Sequence, residues 1–178
     1  MVCDAGPVLH LDELDCLHLL NDFSKVILPD IVVTEVFRHR NVYLDTLNNM
    51  KVEAFNLSDL EEPLKTMCRM FALDAGEIGT LFVASRYNGL TVLTDDAAAR
   101  LVAQRCQFNV HGTIGVIIRS IRMGSLTPEK VVSILQTIPE KSTLYIKPAL
   151  LEKVISEVKM QSLDSGFRGN DERGNSPI

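Results

Sequence analysis

Residues 91–98 read "TVLTDDAA". Thr91, Val92 and Leu93 have the β-branched and apolar character of a buried strand end, and Ala97, Ala98 and Ala99 open a helix directly after it. Asp95 and Asp96 therefore stand side by side where a strand turns into a helix. Two neighbouring carboxylates repel each other unless a positive charge or water lies between them. Their meaning depends on whether other isolated acids arrive at the same place.

The strand-then-helix unit recurs along the chain. "MVCD" is a short apolar stretch ending in Asp4, with Gly6-Pro7 as a break; Leu11, Leu14, Leu17 and Leu20 then have the spacing of a helix over 11–20. "KVILPD" predicts a second strand closed by Pro29, and "DIVVTEVFRHR" a helix behind it. A further helix is expected over 41–50, a strand at "KVEAF" (51–55), and a helical stretch over 57–71 that Pro63 starts. "LDAGEIGTLFVASRYNG" predicts the clearest helix, stopped at Gly89. "FNVHG" is a fifth strand candidate, and "TIGVIIRSIRMG" a helix ended by Gly124. "TPEKVVSILQTI" is a helix with Thr127 as its cap and Pro128 in the first turn, and a last helix is expected over about 147–160. Such alternation predicts an α/β domain with a mainly parallel sheet over residues 1–160. Residues 161–178 are polar and glycine-rich, which predicts a disordered tail.

Composition narrows the classes. The 178 residues are 46% hydrophobic and 23% charged, enough for one domain with a real core. No stretch approaches the roughly 18 apolar residues that cross a bilayer. The acid-bearing N-terminus is unlike a secretory signal, so a cytoplasmic protein is expected. Cys3, Cys16, Cys68 and Cys106 are widely spaced in apolar settings, which predicts reduced thiols and no zinc site. The net charge of -5 argues against a general nucleic-acid coat but leaves room for acids gathered around divalent cations.

In an open parallel sheet the binding crevice lies beyond the carboxyl ends of the strands. Asp4 ends the first strand, and Asp95 and Asp96 end the fourth. Glu35 is crowded by Val32, Val33, Val36 and Phe37 on the helix after the second strand, and Glu77 lies in the first turn of the helix before the fourth. Together they would supply hard oxygen ligands for Mg²⁺ or Mn²⁺, which suits phosphodiester hydrolysis without a side-chain nucleophile. Each also has a plainer reading. Asp74-Ala75-Gly76-Glu77 is the pattern of a capping box, Asp95 could cap its own helix, and Asp4 could merely end a strand. The set, in order, tips the balance. Arg38-His39-Arg40, Arg100 and Arg105 could hold a phosphate or could equally be solvated helix faces. No phosphate-binding glycine loop or nucleophile elbow is present.

In "VCDAGPVLHL", "KVILPDIVVTEVF", "LDAGEIGTLFVAS" and "LTVLTDDAAARLVAQRCQFNVHGTIGVI" the chain resembles the PIN-domain ribonucleases, in the branch of the VapC-type toxins. The resemblance implies a three-layer α/β/α fold that binds Mg²⁺ or Mn²⁺ and cleaves single-stranded RNA. It places metal and catalytic roles on Asp4, Glu35, Glu77 and Asp96, with Asp95 as a further metal ligand and Thr94-x-Asp96 as the strand-end motif. It further implies a small antitoxin as partner and a homodimer through residues 30–70. Ala5-Gly6 departs from the pattern, which has a polar residue just after the first aspartate. A catalytically inactive module that binds RNA or protein is the alternative that this departure supports; a phosphatase or receiver-like use of "LTDD" is another, and it gives Glu35 no role.

Overall fold

A computed structural model describes the backbone of residues 1–168 and the side chains of residues 1–161. Its strands are β1 (Val2–Cys3), β2 (Val26–Pro29), β3 (Met50–Glu53), β4 (Thr91–Leu93) and β5 (Asn109–His111). They form one parallel sheet in the order β3-β2-β1-β4-β5. The chain winds outward from β1 through β2 to β3, then returns to the other side of β1 as β4. The crevice between β1 and β4 is therefore a topological switch point, where open α/β sheets bind ligands.

Helices cover both faces. They are α1 (Ala5–Glu13), α2 (Asp30–His39), α3 (Leu64–Met70), α4 (Ala75–Ser85), α5 (Ala97–Arg105), α6 (Thr113–Met123), α7 (Pro128–Lys141) and α8 (Pro148–Arg168). Side chains alternate along the strands. Cys3, Val26, Leu28 and Leu93 join a buried cluster with α1, α2, α6, α7 and α8, while Val2, Ile27 and Val92 join a second one with α3, α4 and α5. The result is the expected three-layer α/β/α sandwich around a parallel sheet.

The differences from expectation lie near the N-terminal half. The helix expected over 11–20 instead starts at Ala5 and ends at Glu13. Asp4 caps it, and Pro7 falls in the first turn, where its missing N–H has no intrahelical partner to lose. Asp15, with φ of 56°, then breaks the chain direction ahead of a 3-10 stretch over Leu17–Asp22. Leu11, Leu14, Leu17 and Leu20 are all buried even so. Spacing identified the core residues and misassigned the element.

The helix expected over 41–50 is also absent, apart from a 3-10 turn at Leu44–Thr46. Asparagines on both sides hold it to the Leu17–Asp22 segment. Asn49 Nδ2 donates to Leu20 O at 2.9 Å, and Asn21 Nδ2 donates to Thr46 O at 3.2 Å. Such side-chain bonds to the backbone compete with a helical ladder. Gly124, with φ of 73°, ends α6 as expected, since a left-handed residue suits glycine, whereas α4 already ends at Ser85 and Gly89, with φ of 77°, lies in the turn ahead of β4. The four cysteines are unpaired, three of them buried. Helix α8 continues to Arg168; residues 169–178 of the expected tail lie outside the described residues.

Candidate active site

Strand pairing brings the first two acids together. Val2 pairs with Val92 and Cys3 with Leu93, and the Asp4 N–H donates to Leu93 O at 2.9 Å. Asp4 caps α1, its Oδ1 accepting the Ala5 N–H at 2.9 Å. Asp96 caps α5, its Oδ1 accepting the Ala99 N–H at 2.8 Å. Asp74 caps α4 through the Glu77 N–H, and Glu77 Oε2 accepts the Asp74 N–H, both at 2.9 Å. The capping box read from the sequence is present, and it does not remove Glu77 from the crevice. Asp4, Glu35, Asp74, Glu77, Asp95 and Asp96 all line one cavity of about 380 Å³. Three helix N-termini meet there, and their partial positive charge helps the fold tolerate the crowd of carboxylates.

Thr94 ties the strand ends together. Its buried hydroxyl donates to Asp4 Oδ2 at 2.8 Å and accepts the Asp96 N–H at 3.2 Å. Ala5 can offer Asp4 only its backbone N–H, so the polar support missing at position 5 comes from Thr94. Arg100 Nη1 donates to Thr94 O at 3.0 Å and steadies the same turn.

Gly76 sets the position of Glu35. A Cβ at residue 76 would lie 2.5 Å from Glu35 Oε2, so glycine on α4 leaves the room in which the Glu35 carboxylate sits. Gly79 continues the contact, where a Cβ would meet Ile31 Cγ2 at 2.9 Å.

The plainer reading of the sequence, in which Asp95 caps its own helix, does not hold. Asp96 is the cap, whereas Asp95 turns toward α6. Its Oδ1 accepts the Thr113 N–H at 2.8 Å, and its Oδ2 accepts the Thr113 hydroxyl and the His10 Nδ1–H, the latter at 2.8 Å. Gly112 permits this, because a Cβ there would stand 2.5 Å from Asp95 Oδ1. His10, on α1, thus lines the cavity as the partner of Asp95. The two are 85 residues apart in sequence, and no motif links them.

The family model described as PIN domain (DUF3368) matches residues 1–160. The chain belongs to the PIN-domain family. PIN domains are generally nucleases. No curated protein and no solved structure matches the chain.

Charge in this PIN domain is poorly compensated. Among the described residues, no lysine or arginine lines the cavity. Burial pushes Asp4 up to about 6 against the hydrogen bonds from Thr94 and Ala5, and the Asp74 and Glu35 carboxylates push the same way. Burial pushes Glu77 up to about 7, helped by the charges of Asp74, Asp96 and Asp4 and opposed by the Asp74 N–H. Burial and Asp74 raise Glu35 as well, against the charges of His39 and Arg38. Glu35 has no hydrogen bond or ion pair among the described residues. Asp95 is the exception. Burial would raise it, but His10 and Thr113 bring it below the ordinary value.

The raised values fix a sign. The folded PIN domain holds protons on Asp4 and Glu77 more tightly than the unfolded chain does, so their neutral forms stabilise it most below pH 4. That contribution is lost as pH rises through about 6 for Asp4 and about 7 for Glu77. In EDTA, the contribution of these acids to the urea midpoint should fall between pH 4 and 8, and Asp4→Asn should flatten the decline.

The donor set fits a hard divalent cation. It is all carboxylate oxygen, with no thiol and one histidine that is already engaged. Among the described residues no three potential ligands converge as they stand closely enough to hold an ion. Of the cations considered from sequence, Arg40 pairs with Asp12 at 3.0 Å and Arg105 packs over the Phe71 ring, 5.6 Å from its centroid. Arg38 and His39 stay exposed near Glu35.

Proposed function

We propose that this PIN domain is a metal-dependent endoribonuclease acting on single-stranded RNA, and the toxin of a toxin–antitoxin pair. The observation that carries the nuclease reading is the uncompensated acid cavity at the switch point, with Glu35 unpaired and Asp4 and Glu77 holding raised proton affinities. Asp4, Glu35, Glu77 and Asp96 would hold Mg²⁺ or Mn²⁺. When bound, the cation would polarise the phosphodiester and make water a better nucleophile.

The chain's own residues then have separate tasks. Thr94 keeps Asp4 and Asp96 in register, and Arg100 fixes the turn that carries them. Both Asp95 oxygens are already accepting hydrogen bonds, so it acts by placing His10 and the start of α6 rather than by taking the larger share of a cation. Arg38 and His39 are placed to meet RNA phosphate beside Glu35.

The absence of lysine and arginine from the cavity wall supports an antitoxin that inserts a basic side chain there. Exposed Phe37, Tyr43 and Met70 support self-association through the 30–70 surface, which sedimentation would read out.

The deciding experiment incubates the purified protein with labelled RNA in Mg²⁺ or Mn²⁺ and in EDTA. Cleavage should stop in EDTA and return with Mn²⁺. Cleavage that persists in EDTA would defeat the mechanism; absent cleavage together with no calorimetric Mn²⁺ binding would favour the inactive module.

A further inference from the structure

Residues 142–147, between α7 and α8, form an anchored strap. Glu13, at the end of α1, receives the Ser142 hydroxyl and the Thr143 N–H, both at 2.7 Å, and the Thr143 hydroxyl at 3.0 Å. Leu144 packs partly buried against the core. Tyr145 follows it and is 82% exposed, yet both residues line the acid cavity. The Tyr145 ring has no hydrogen bond, ion pair or ring contact among the described residues. The fold therefore holds a mostly exposed aromatic ring at the lip of the candidate site, where it buries little surface of its own.

We propose that Tyr145 is a stacking platform for an unpaired base of the RNA strand, next to the phosphodiester that enters the acid cavity. The inference rests on the nuclease reading above and goes further by naming what selects the substrate. A tyrosine ring can stack on any base, because every base has a π-face. A base inside a duplex is already stacked on both sides, so it cannot use the platform without being extruded. Preference for single strands would then reside in Tyr145, outside the acids. The exposed Lys147, two residues on, suits the sugar–phosphate backbone of a strand lying along the strap. A peptide partner covering the same ring is the rival occupant, and it predicts no dependence on bases.

The sequence contains no tryptophan, so Tyr145→Trp installs a single tryptophan at the platform, which can be excited apart from the remaining tyrosines. In the Asp96→Asn background, which blocks turnover, this variant is titrated with a short single-stranded RNA, an abasic strand of equal length and the matching duplex. Saturable quenching by the single-stranded RNA alone is expected. In parallel, Tyr145→Ala should raise KM for single strands about ten-fold with kcat within about twofold, while Tyr145→Phe behaves as the native protein. Equal quenching by the abasic strand, or an unchanged KM in Tyr145→Ala, overturns the platform. Base-dependent quenching by a chain that cuts no RNA in any divalent cation keeps the platform and removes the nuclease reading. Cleavage without quenching does the reverse, and absence of both removes both.

Discussion

Asp4→Asn is expected to lower kcat/KM for RNA cleavage by at least about a thousandfold, roughly 4 kcal/mol of transition-state stabilisation, while making the metal-free protein harder to unfold. The two effects have one cause. Asp4 is 7% exposed and sits beside Glu35, Asp74 and Glu77, with no lysine or arginine among the described residues of the wall. Its proton affinity is displaced from near 4 to about 6, which corresponds to about 3 kcal/mol spent on keeping the charged form folded. Asparagine is close in shape and its Oδ1 can still accept the Ala5 N–H, but it carries no charge, and its Nδ2 donates, so the Thr94 hydroxyl must turn from donor to acceptor. In EDTA at pH 8 the variant should therefore melt several degrees above the native protein, at about 2–4 °C for each kcal/mol. Saturating Mn²⁺ should reverse the order. At a hundredfold excess over Kd a cation adds about 2.7 kcal/mol to a protein that binds it, and the variant would gain little. A crossing of the two melting curves between EDTA and Mn²⁺ distinguishes a cation site from a purely structural acid cluster. Asp4→Asn that melts below the native protein in both buffers, or that keeps its activity, would sink the assignment.

That trade-off explains why part of the site was legible before the structure was. Acids at strand ends and in first helical turns are visible as positions: Asp4 after "MVC", Asp96 after "TVLT", Glu77 after "LDAG". The order of strands was not. Adjacency of β1 and β4, on which the meeting of Asp4 and Asp96 depends, is a tertiary fact that alternating strands and helices permit but do not state. The plainer reading of Asp95 as a cap failed for a related reason. Either can cap α5 locally. What sends Asp95 elsewhere is the docking of the α6 N-terminus, with Thr113 presenting both of its donors and His10 approaching from α1. The missing helix over 41–50 was likewise decided by remote contacts, through asparagines bonded to residues more than twenty positions away.

Gly76→Ala should lower cleavage about 10- to 100-fold without loss of stability, the range expected when a ligand's support is disturbed rather than the ligand removed. Residue 76 is the second of α4 and has no left-handed backbone, so alanine fits its conformation and is the better helix former by up to about 1 kcal/mol. The new methyl would lie 2.5 Å from Glu35 Oε2, and this is the free end of a flexible side chain. Glu35 can swing away at small cost to folding, yet swinging away takes its carboxylate out of the cavity. Gly79→Ala, one turn on, offers the contrast. Its Cβ would meet Ile31 Cγ2 at 2.9 Å and the Phe55 ring at 3.3 Å, which are packed groups, so stability should fall by about 1–3 kcal/mol. The decisive comparison is a double-mutant cycle. If Gly76→Ala acts only by displacing Glu35, it should add nothing in a Glu35→Ala background, because the group it moves is already gone. A Gly76→Ala protein that cleaves as well as the native one, or whose loss adds fully to that of Glu35→Ala, would mean that residue 76 does not act through Glu35; a Glu35→Ala protein that keeps its activity would shrink the acid set to the three that sit at helix starts.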